Sequence, residues 1–301
     1  MLMKGTNTLK TIRVGSRDSI LAVVQSNIVI DAIKKQCPEL RAELVTMKTT
    51  GDMILDRTLD KIGGKGLFVK ELDAALLEGR VDITVHSSKD LPMELPPELP
   101  IVAVSGREDA SDALVLPVGT DSLKEGGVPI GCSSLRRTIQ LKGLYPGVEV
   151  MPVRGNVQTR LRKLDSGEYS ALVLAAAGLN RLGLQSRIHR AFKPEEMIPA
   201  AGQGILAIQA RAGYDTSFLA GFHNADAADC LMAERAFVRA LDGGCSSPVA
   251  AYAEISGDVI HITGLDVDEN ETPVIESISG GRNEAERLGA ELAVKIRRIM
   301  R

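Results

Sequence analysis

The segment FVKELDAALLEGRVDITVHSSKD, residues 68–90, carries the clearest pattern of an α/β fold in the sequence. Leu72 and Leu76 recur at helical spacing, and Gly79 can end that helix. The run Val81–Val85 then alternates as a β-strand does, and a series of polar residues follows it directly. Because ligands of open α/β sheets bind beyond the carboxyl ends of strands, the segment predicts an α/β domain whose binding site follows this strand.

The residues before this segment predict the opening of the same domain. Thr11–Gly15 and Glu43–Met47 have strand character, and apolar residues repeat at helical spacing from Ile20 to Lys35 between them. After the segment, four prolines between Pro92 and Pro100 exclude a helix or a central strand. The chain therefore opens as a β-α-β unit that leads into a stiff surface loop.

Beyond the proline loop the pattern predicts two further units. The first repeats the alternation of strands and helices, which is typical of a second α/β domain. Its predicted elements are strands Ile101–Val104, Ala113–Leu116, Pro129–Gly131, Val148–Val153 and Ala171–Leu174, a helix capped by Ser133 and a helix Val157–Leu164. The last unit is predicted as antiparallel α+β. It comprises a helix Asp226–Leu241, strands Val249–Ile255, Val259–Val267 and Thr272–Ser279, and a helix from Glu284.

Composition is that of an ordinary globular protein. Of the 301 residues, 25 % are charged and 44 % hydrophobic, which excludes intrinsic disorder as the main state. A net charge of −3, five Phe, four Tyr and no Trp argue against a nucleic-acid-binding surface. No apolar stretch approaches the ~20 residues that cross a bilayer, and no secretory signal is visible. The four cysteines lack zinc-site or disulfide spacing, so we expect a cytoplasmic protein without a metal site.

Positive charge is concentrated in residues 131–190. This stretch holds eight arginines and two lysines against three acids, a net charge of +7. Arginine is favoured where a carboxylate or phosphate is held by two parallel hydrogen bonds. Arg136 and Arg137 follow Ser133 and Ser134 at a predicted helix start, where free backbone N–H groups also favour anions. A solvated basic face explains the charge equally well, but the placement at a helix start favours an anion-binding site.

Three glycine- or serine-rich stretches are weaker signals. The stretch Ser16–Ser19 can bind an anion, although an ordinary helix cap by Asp18 or Ser19 is the favoured interpretation. Gly63–Gly66 lacks the pattern of a phosphate-binding P-loop, which argues against nucleotide hydrolysis. Gly202–Ala207 fits the spacing of a dinucleotide fingerprint, but strand residues follow where a helix is required. We therefore predict a tight turn there, and no NAD or NTP site.

Two residues stand out as candidates for chemistry. Asp90, with Lys89 and His86, is a plausible acid/base cluster at a strand end, although a lone loop Asp is more often a turn residue. Cys245 lies in the loop DGGCSSP. Its flexible glycines keep the thiol from being fixed in a packed core, so that it is available as a thiolate nucleophile. A free cysteine is more often a small buried hydrophobe, which is the interpretation favoured for the other three, Cys37, Cys132 and Cys230.

Taken in order, eight motifs resemble the porphobilinogen deaminase family, also called hydroxymethylbilane synthases, over nearly the whole chain. The motifs are SRDS, GGKGLFVKEL, VHSSKDLP, CSSLRRTIQL, RGNVQTRL, LAAAGLNRLG, PAAGQG and DGGCSSP. The resemblance implies an α/β fold with two periplasmic-binding-protein-like α/β domains, a cleft between them and a smaller C-terminal α+β domain. We expect domain 1 at residues 1–105 with a return segment 204–224, an anion-binding domain 2 at 106–203, and a cofactor-carrying domain 3 at 225–301.

The resemblance also implies a function and its residues. The family is a transferase of tetrapyrrole and heme biosynthesis that condenses four porphobilinogen molecules, with loss of ammonia, and releases linear hydroxymethylbilane. By this resemblance Cys245 carries a dipyrromethane cofactor through a thioether. Asp90 holds pyrrole N–H groups and stabilises the cation that forms when each porphobilinogen loses ammonia. Lys65 and Phe68 match a mobile loop. The positions that match ligands of acetate and propionate side chains are Arg17, Ser19, Lys89, Ser134, Arg136, Arg137, Arg154, Arg160 and Arg181.

Two departures and one rival remain. Cys132 and Ser246 stand where many members of the family have Thr and Gln, and Cys132 is a possible second reactive thiol near the cleft. The rival function is a two-lobed, non-enzymatic binding protein for an anionic metabolite, which needs neither Asp90 nor a thiol at Cys245. We expect the enzyme, acting as a monomer on a small-molecule substrate without nucleic acid or membrane.

Overall fold

A computed structural model describes residues 10–49, 69–123, 127–244 and 247–300. Its strands are β1 Thr11–Arg17, β2 Arg41–Met47, β3 Ile83–Ser87, β4 Ile101–Val104, β5 Asp112–Val115, β6 Ile130–Gly131, β7 Val150–Met151, β8 Ala171–Ala175, β9 Ile188–Phe192, β10 Leu206–Ala210, β11 Ala250–Ser256, β12 Val259–Val267 and β13 Pro273–Gly281. Its α-helices are α1 Ile20–Gln36, α2 Lys70–Leu77, α3 Leu135–Leu144, α4 Val157–Asp165, α5 Ala176–Arg181, α6 Ala225–Ala240 and α7 Ala285–Ile299.

The first lobe is a five-stranded sheet with the order β2-β1-β3-β10-β4, together with α1 and α2. The strand β1 is parallel to β2 and β3, whereas β10 runs antiparallel to β3 and β4. Buried residues of the sheet such as Ile12 and Ile208 pack with Ile33 of α1. Because β1 and β3 are parallel neighbours, their carboxyl ends lie on the same side of this sheet.

The second lobe repeats this order as β7-β6-β8-β5-β9. Here β6 is parallel to β7 and β8, and β5 is antiparallel to β8 and β9. Separate apolar clusters around Leu164 and around Leu141 form the two parts of its core. The chain enters this lobe between Val104 and Asp112 and leaves it between Phe192 and Leu206, so two crossing segments join the lobes.

The C-terminal domain is a three-stranded antiparallel sheet, β11-β12-β13, packed against α6 and α7. Phe237 of α6, Leu292 of α7 and Ile262 of β12 meet in its core. The two helices approach closely because Gly289 lies against the carbonyl group of Ala233, where a Cβ would collide. With two five-stranded mixed sheets and this smaller domain, the predicted α/β fold class is confirmed.

Local predictions differ from the structure in three places. The strand Ile101–Val104, predicted as part of the second α/β domain, is β4 and lies at the edge of the first sheet, beside β10. The strand predicted as alternating at Val81–Val85 is β3, which is buried from Ile83 through His86 because it is a central strand of the sheet. The helix cap predicted at Ser133 is wrong, since α3 begins at Leu135. The Ser133 hydroxyl instead bonds to the backbone of Val153, donating to its carbonyl oxygen at 2.6 Å and accepting from its N–H at 2.9 Å.

Two elements had no sequence prediction. The helix α5 has only six residues, which is too short for a periodic signal. The strand β9, with the sequence IHRAF, is an edge strand whose three middle residues are exposed and include His189 and Arg190, so it lacks the apolar run of a buried strand. No helix in the described part of the chain is long and apolar enough to span a membrane.

Candidate active site

A cavity of about 220 Å³ lies between the two lobes. Asp90 and Lys89, in the 3₁₀ turn directly after β3, line it from the first lobe. Arg137 of α3, Arg160 of α4 and Arg181 at the end of α5 line it from the second lobe. The crossing segment 202–205 forms a further part of the wall. One carboxylate and four cations therefore meet where strands of both lobes end.

A smaller cavity of about 60 Å³ adjoins the first and is also lined by Asp90. Arg17 and Ser19 at the start of α1 line it, together with His86. The Ser19 hydroxyl accepts a hydrogen bond from the Ala22 N–H at 3.4 Å, so the predicted helix cap is confirmed at Ser19. Ser19 therefore serves both as the cap of α1 and as part of a cavity wall.

Asp90 and Lys89 differ in their surroundings. Asp90 is exposed, whereas the Lys89 ammonium donates a hydrogen bond to Gln203 Oε1 at 3.1 Å. Burial and the nearby Arg137 guanidinium lower the pKa of Lys89 to about 8, although Asp90 and Asp112 oppose the shift. The carboxylate of Asp90 is thus open to a ligand, and the ammonium beside it is held in place.

His86 is not a proton donor at neutral pH. Its side chain is buried within β3, and Nε2 lies 2.9 Å from Thr84 Oγ1. Burial, assisted by the positive charge of Arg17, lowers the pKa of His86 to about 3. His86 and Asp90 line the same smaller cavity, as the predicted cluster requires, but with this pKa the imidazole is neutral near pH 7 and does not act as a general acid.

Arg136 and Arg137 are both paired with one fully buried carboxylate. Arg136 Nη1 donates to Asp112 Oδ2 at 2.7 Å and to the carbonyl oxygen of Ile198 at 2.7 Å. Arg137 Nε donates to Asp112 Oδ1 at 2.8 Å. Burial alone would raise the pKa of Asp112, but the two guanidinium groups hold it well below its usual range. Of the two arginines, only Arg137 is among the described residues that line the cavities.

Arg160 and Arg181 face the larger cavity with less compensation. Arg160 Nε donates to the Gly155 carbonyl oxygen at 2.8 Å, and Arg181 Nη2 donates to the Gly204 carbonyl oxygen at 2.6 Å. Burial and the charge of Arg137 lower the pKa of Arg160, and burial lowers that of Arg181. A bound anion would relieve the cost that both shifts report, so the cavity is electrostatically suited to carboxylates.

Two further predicted ligands lie outside the cavity walls. Ser134 occupies the cap position of α3 without a side-chain cap bond, and its carbonyl oxygen lies 3.7 Å from Cys132 Sγ. Arg154 is half-buried, and its charge contributes to the lowered pKa of Arg160. The structure brings neither residue into the two cavities described above.

Three predicted functional residues, Lys65, Phe68 and Cys245, lie outside the described residues, as does Ser246. Of the described residues on either side of Cys245 and Ser246, the Ser247 N–H donates to the Gly244 carbonyl oxygen at 3.0 Å. Among the other thiols, Cys132 and Cys230 are buried as predicted, and burial raises the pKa of Cys230 to about 11. Cys37 is only half-buried, because it ends α1 at the rim of the core.

Sequence reasoning missed two residues of the site, Gln203 and Asp112. The tight turn predicted within Gly202–Ala207 is found at Gly202–Gly204, since Leu206 already begins β10, and Gln203 in this turn is fully buried and lines the cavity. A single amide residue between two glycines was the available signal. Asp112 gave none, because an acid at the start of a strand has no local pattern that predicts two buried arginine partners.

Comparisons with known proteins give a consistent result. The family model described as "Porphobilinogen deaminase, dipyromethane cofactor binding domain" matches residues 12–218, and the model of the C-terminal domain of the same family matches residues 228–298. Porphobilinogen deaminase of Acetivibrio thermocellus is 60 % identical over 95 % of this chain and 97 % of its own length. That of Alkaliphilus oremlandii is 59 % identical over 95 % and 96 %.

Among solved structures, the periplasmic aliphatic sulphonate binding protein SsuA from Escherichia coli matches with a TM-score of 0.40 and 14 % identity. The match covers 77 % of this chain and 71 % of that protein. A likeness of this size supports no conclusion about function.

Proposed function

The chain belongs to the porphobilinogen deaminase family, and we propose that the cavity between its lobes is where porphobilinogen is bound and condensed. The protein is a transferase of tetrapyrrole biosynthesis with a dipyrromethane cofactor. It condenses four porphobilinogen molecules, with loss of ammonia, and releases linear hydroxymethylbilane. The observation that carries the assignment of the site is the meeting of Asp90 with four cations from both lobes.

The residues of the cavity fit the cofactor and the substrate. Each pyrrole ring carries an acetate and a propionate group, so a chain of rings needs many cations within one cleft. Lys89, Arg137, Arg160 and Arg181 supply them, and burial lowers the pKa values of Lys89, Arg160 and Arg181, a shift that a bound carboxylate would oppose. When attached, the cofactor supplies the free pyrrole carbon to which the first substrate is joined.

We propose that these four cations bind the carboxylates of substrate and cofactor and that Cys245 is the point of attachment. The same carboxylate-binding role is proposed for Arg17, Ser19, Ser134, Arg136 and Arg154, and a mobile-loop role for Lys65 and Phe68. Arg17 and Ser19 are supported by their place in the smaller cavity beside Asp90. Arg136 is supported only through Asp112, which it shares with Arg137.

Asp90 has a separate role in this proposal. Its exposed carboxylate accepts hydrogen bonds from pyrrole N–H groups and lies where positive charge develops as porphobilinogen loses ammonia. A fixed counter-charge lowers the free energy of that cation more than water does, because it needs no reorganisation. The neighbouring cations bind and orient the ring but cannot supply this negative charge.

The test replaces Asp90 by asparagine, which keeps the shape and one acceptor oxygen but removes the charge. We expect ammonia release and tetrapyrrole formation from porphobilinogen to fall about 10²–10³-fold. Asp31→Asn, which changes an exposed aspartate of α1 away from both cavities, is the matched control and should be fully active. A chain that binds porphobilinogen without releasing ammonia would instead support the non-enzymatic binding protein.

The location of the protein, its oligomeric state and its lack of a nucleic-acid partner are also proposals. We infer that it works as a cytoplasmic monomer without nucleic acid. The free thiols of Cys37, Cys132 and Cys230 and the net charge of −3 support this inference. A mass of about one chain in solution by light scattering, unchanged by added DNA, is the expected result.

A further inference from the structure

The turn Gly202–Gly204 places the side chain of Gln203 in the wall of the larger cavity. Gly202 and Gly204 have φ values of +74° and +89°, which residues with a Cβ rarely adopt. A Cβ on Gly204 would collide with the Glu108 carbonyl oxygen, and one on Gly202 would lie 2.9 Å from the Cβ of Ser88. Both glycines are therefore required, and Gln203 between them is fully buried in the cavity wall.

The backbone of this turn is held by the C-terminal domain. The Gly202 N–H donates to Oε2 of Glu234 in α6 at 2.7 Å. Arg107, in the other crossing segment, donates from Nη1 to the Gln203 carbonyl oxygen at 3.2 Å and from Nη2 to Glu234 Oε1 at 2.6 Å. Since Glu234 is fully buried, this arrangement fixes the turn relative to the C-terminal domain and to the other crossing segment.

The side chain of Gln203 bridges groups of both lobes. Its Nε2 donates to the Ala110 carbonyl oxygen at 2.7 Å and to Asp112 Oδ1 at 2.8 Å. Its Oε1 accepts from Lys89 Nζ at 3.1 Å and from Arg137 Nη2 at 3.4 Å. The orientation of the amide is dictated by chemistry, because lysine and arginine can only donate, whereas the other two partners only accept.

We propose that Gln203 is a positioning residue for carboxylate binding: one amide oxygen holds Lys89 of the first lobe and Arg137 of the second lobe at a fixed separation in the cavity. The role of these cations as carboxylate ligands rests on the proposed function. The hydrogen bonds of Gln203 to Lys89 and Arg137 do not depend on that function. Without a shared acceptor, two like charges in one cavity wall would move apart, and the pair would no longer match a single substrate.

The charges around Lys89 define a readout that is independent of activity. Arg137 and Arg136 from α3 disfavour its protonated form, whereas Asp90 beside it and Asp112 of β5 favour that form. Burial is the largest influence, and together these groups lower the pKa of Lys89 to about 8. The Gln203 oxygen stabilises the ammonium, so its removal should lower the Lys89 pKa by about one further unit.

The experiment measures the rate of reductive methylation of Lys89 against pH, by peptide mass spectrometry, in the cofactor-loaded enzyme. Gln203→Met keeps the volume but removes the acceptor, and it should lower the Lys89 pKa. Gln203→Glu retains an oxygen toward Lys89 whether ionised or protonated, so its Lys89 pKa should equal or exceed that of the unchanged protein. Gln209→Met, at a buried glutamine of β10 that donates to the Leu99 carbonyl oxygen at 2.7 Å, is the matched control and should leave the pKa unchanged.

A purely structural role for Gln203 would move the glutamate and methionine variants in the same direction, and that result would overturn the proposal. So would an unchanged Lys89 pKa in Gln203→Met. If that variant is insoluble, Gln203→Leu provides the same comparison. In steady-state assays Gln203→Met should also raise KM for porphobilinogen about tenfold, with a smaller change in kcat. If the protein makes no tetrapyrrole but the Lys89 pKa is still lower in Gln203→Met than in the unchanged protein and Gln203→Glu, the proposed function is refuted. The positioning role of Gln203 is not.

Discussion

The two lobes are built alike but place a carboxylate in opposite environments. Each has three parallel strands in the order second, first, third, followed by an antiparallel strand, β10 or β5, that comes directly after a crossing from the other lobe. In the first lobe Asp90 is exposed at the cavity, just after the third strand. In the second lobe Asp112 is fully buried against two arginines.

This difference shows that topology sets where side chains meet, whereas burial and partners set what they do. Asp90 has room for a ligand and suits the stabilisation of a developing cation. Asp112 has no access to solvent, and its charge is neutralised by ion pairs with Arg136 and Arg137. We therefore expect the first acid to control turnover and the second to control stability.

Loss of the Asp112 charge should have the largest effect on stability. Asp112→Asn leaves two buried guanidinium groups without their counter-ion, and we expect the free energy of unfolding to fall by about 3–5 kcal/mol. Asp90→Asn is the control from the other lobe and should change it by less than about 0.5 kcal/mol, because Asp90 is exposed. Urea unfolding of both variants measures the contrast, and equal losses would refute it.

The lobes should also differ in their response to acid. The pKa of His86 is lowered from 6.5 to about 3 in the folded protein, so below pH 6.5 the unfolded chain binds a proton that the folded chain does not. Stability should therefore fall by about 3 kcal/mol between pH 7 and pH 4. Asp112 has a lowered pKa, so its contribution is present above about pH 4 and is lost only as pH falls toward its folded value.

His86→Gln isolates this effect, because glutamine stays neutral over the whole range. We expect the urea midpoint of the variant to lose less of its value between pH 7 and pH 4 than that of the unchanged protein. An identical pH profile in the two proteins would show that His86 is protonated in the folded state.

Arginine geometry is the next test, within the second lobe. Arg137→Lys keeps the charge but cannot reproduce hydrogen bonds to Asp112, Gln203 and the Val173 carbonyl oxygen, which accepts at 3.2 Å. Since Arg137 lines the cavity, we expect KM for porphobilinogen to rise about tenfold. Arg136→Lys should cost similar stability but raise KM less. Equal effects on KM would indicate a diffuse electrostatic role for the pair.

The smallest expected effect concerns a more exposed ion pair of the first lobe. Asp82 accepts hydrogen bonds from Arg13 at 2.9 Å and 3.0 Å, and the Arg13 side chain is 40 % exposed. We expect Arg13→Met to lower the free energy of unfolding by about 1 kcal/mol or less. A loss as large as that of Asp112→Asn would show that burial does not separate the two pairs.

Much of the architecture could be predicted from local pattern. The strand that precedes Asp90, the helix after Ser19 and the turn at Gly202–Gly204 all follow from apolar spacing, capping chemistry or glycine placement. These signals lie within a few residues of the feature that they predict, and the structure confirms each element. The family resemblance, carried by eight collinear motifs, is confirmed as well.

The remaining features depend on partners that are distant in sequence. Arg136 is neutralised by Asp112, 24 residues earlier, and Gln203 contacts Lys89, 114 residues earlier. A net charge of +7 over residues 131–190 cannot distinguish an arginine that faces a ligand from one that an internal acid already occupies. Only the fold separates Arg160 and Arg181, which face the cavity, from Arg136, which does not.

If this chain builds a tetrapyrrole on a group bound to Cys245, the intact mass of the purified protein includes that group. We expect a mass above 32.1 kDa by two porphobilinogens less two ammonias, carried by the peptide that contains Cys245. Cys245→Ala should lack both the increment and activity, and Cys132→Ser should keep both. An unmodified mass in active protein, an adduct on Cys132, or an active Cys245→Ala variant would contradict the account.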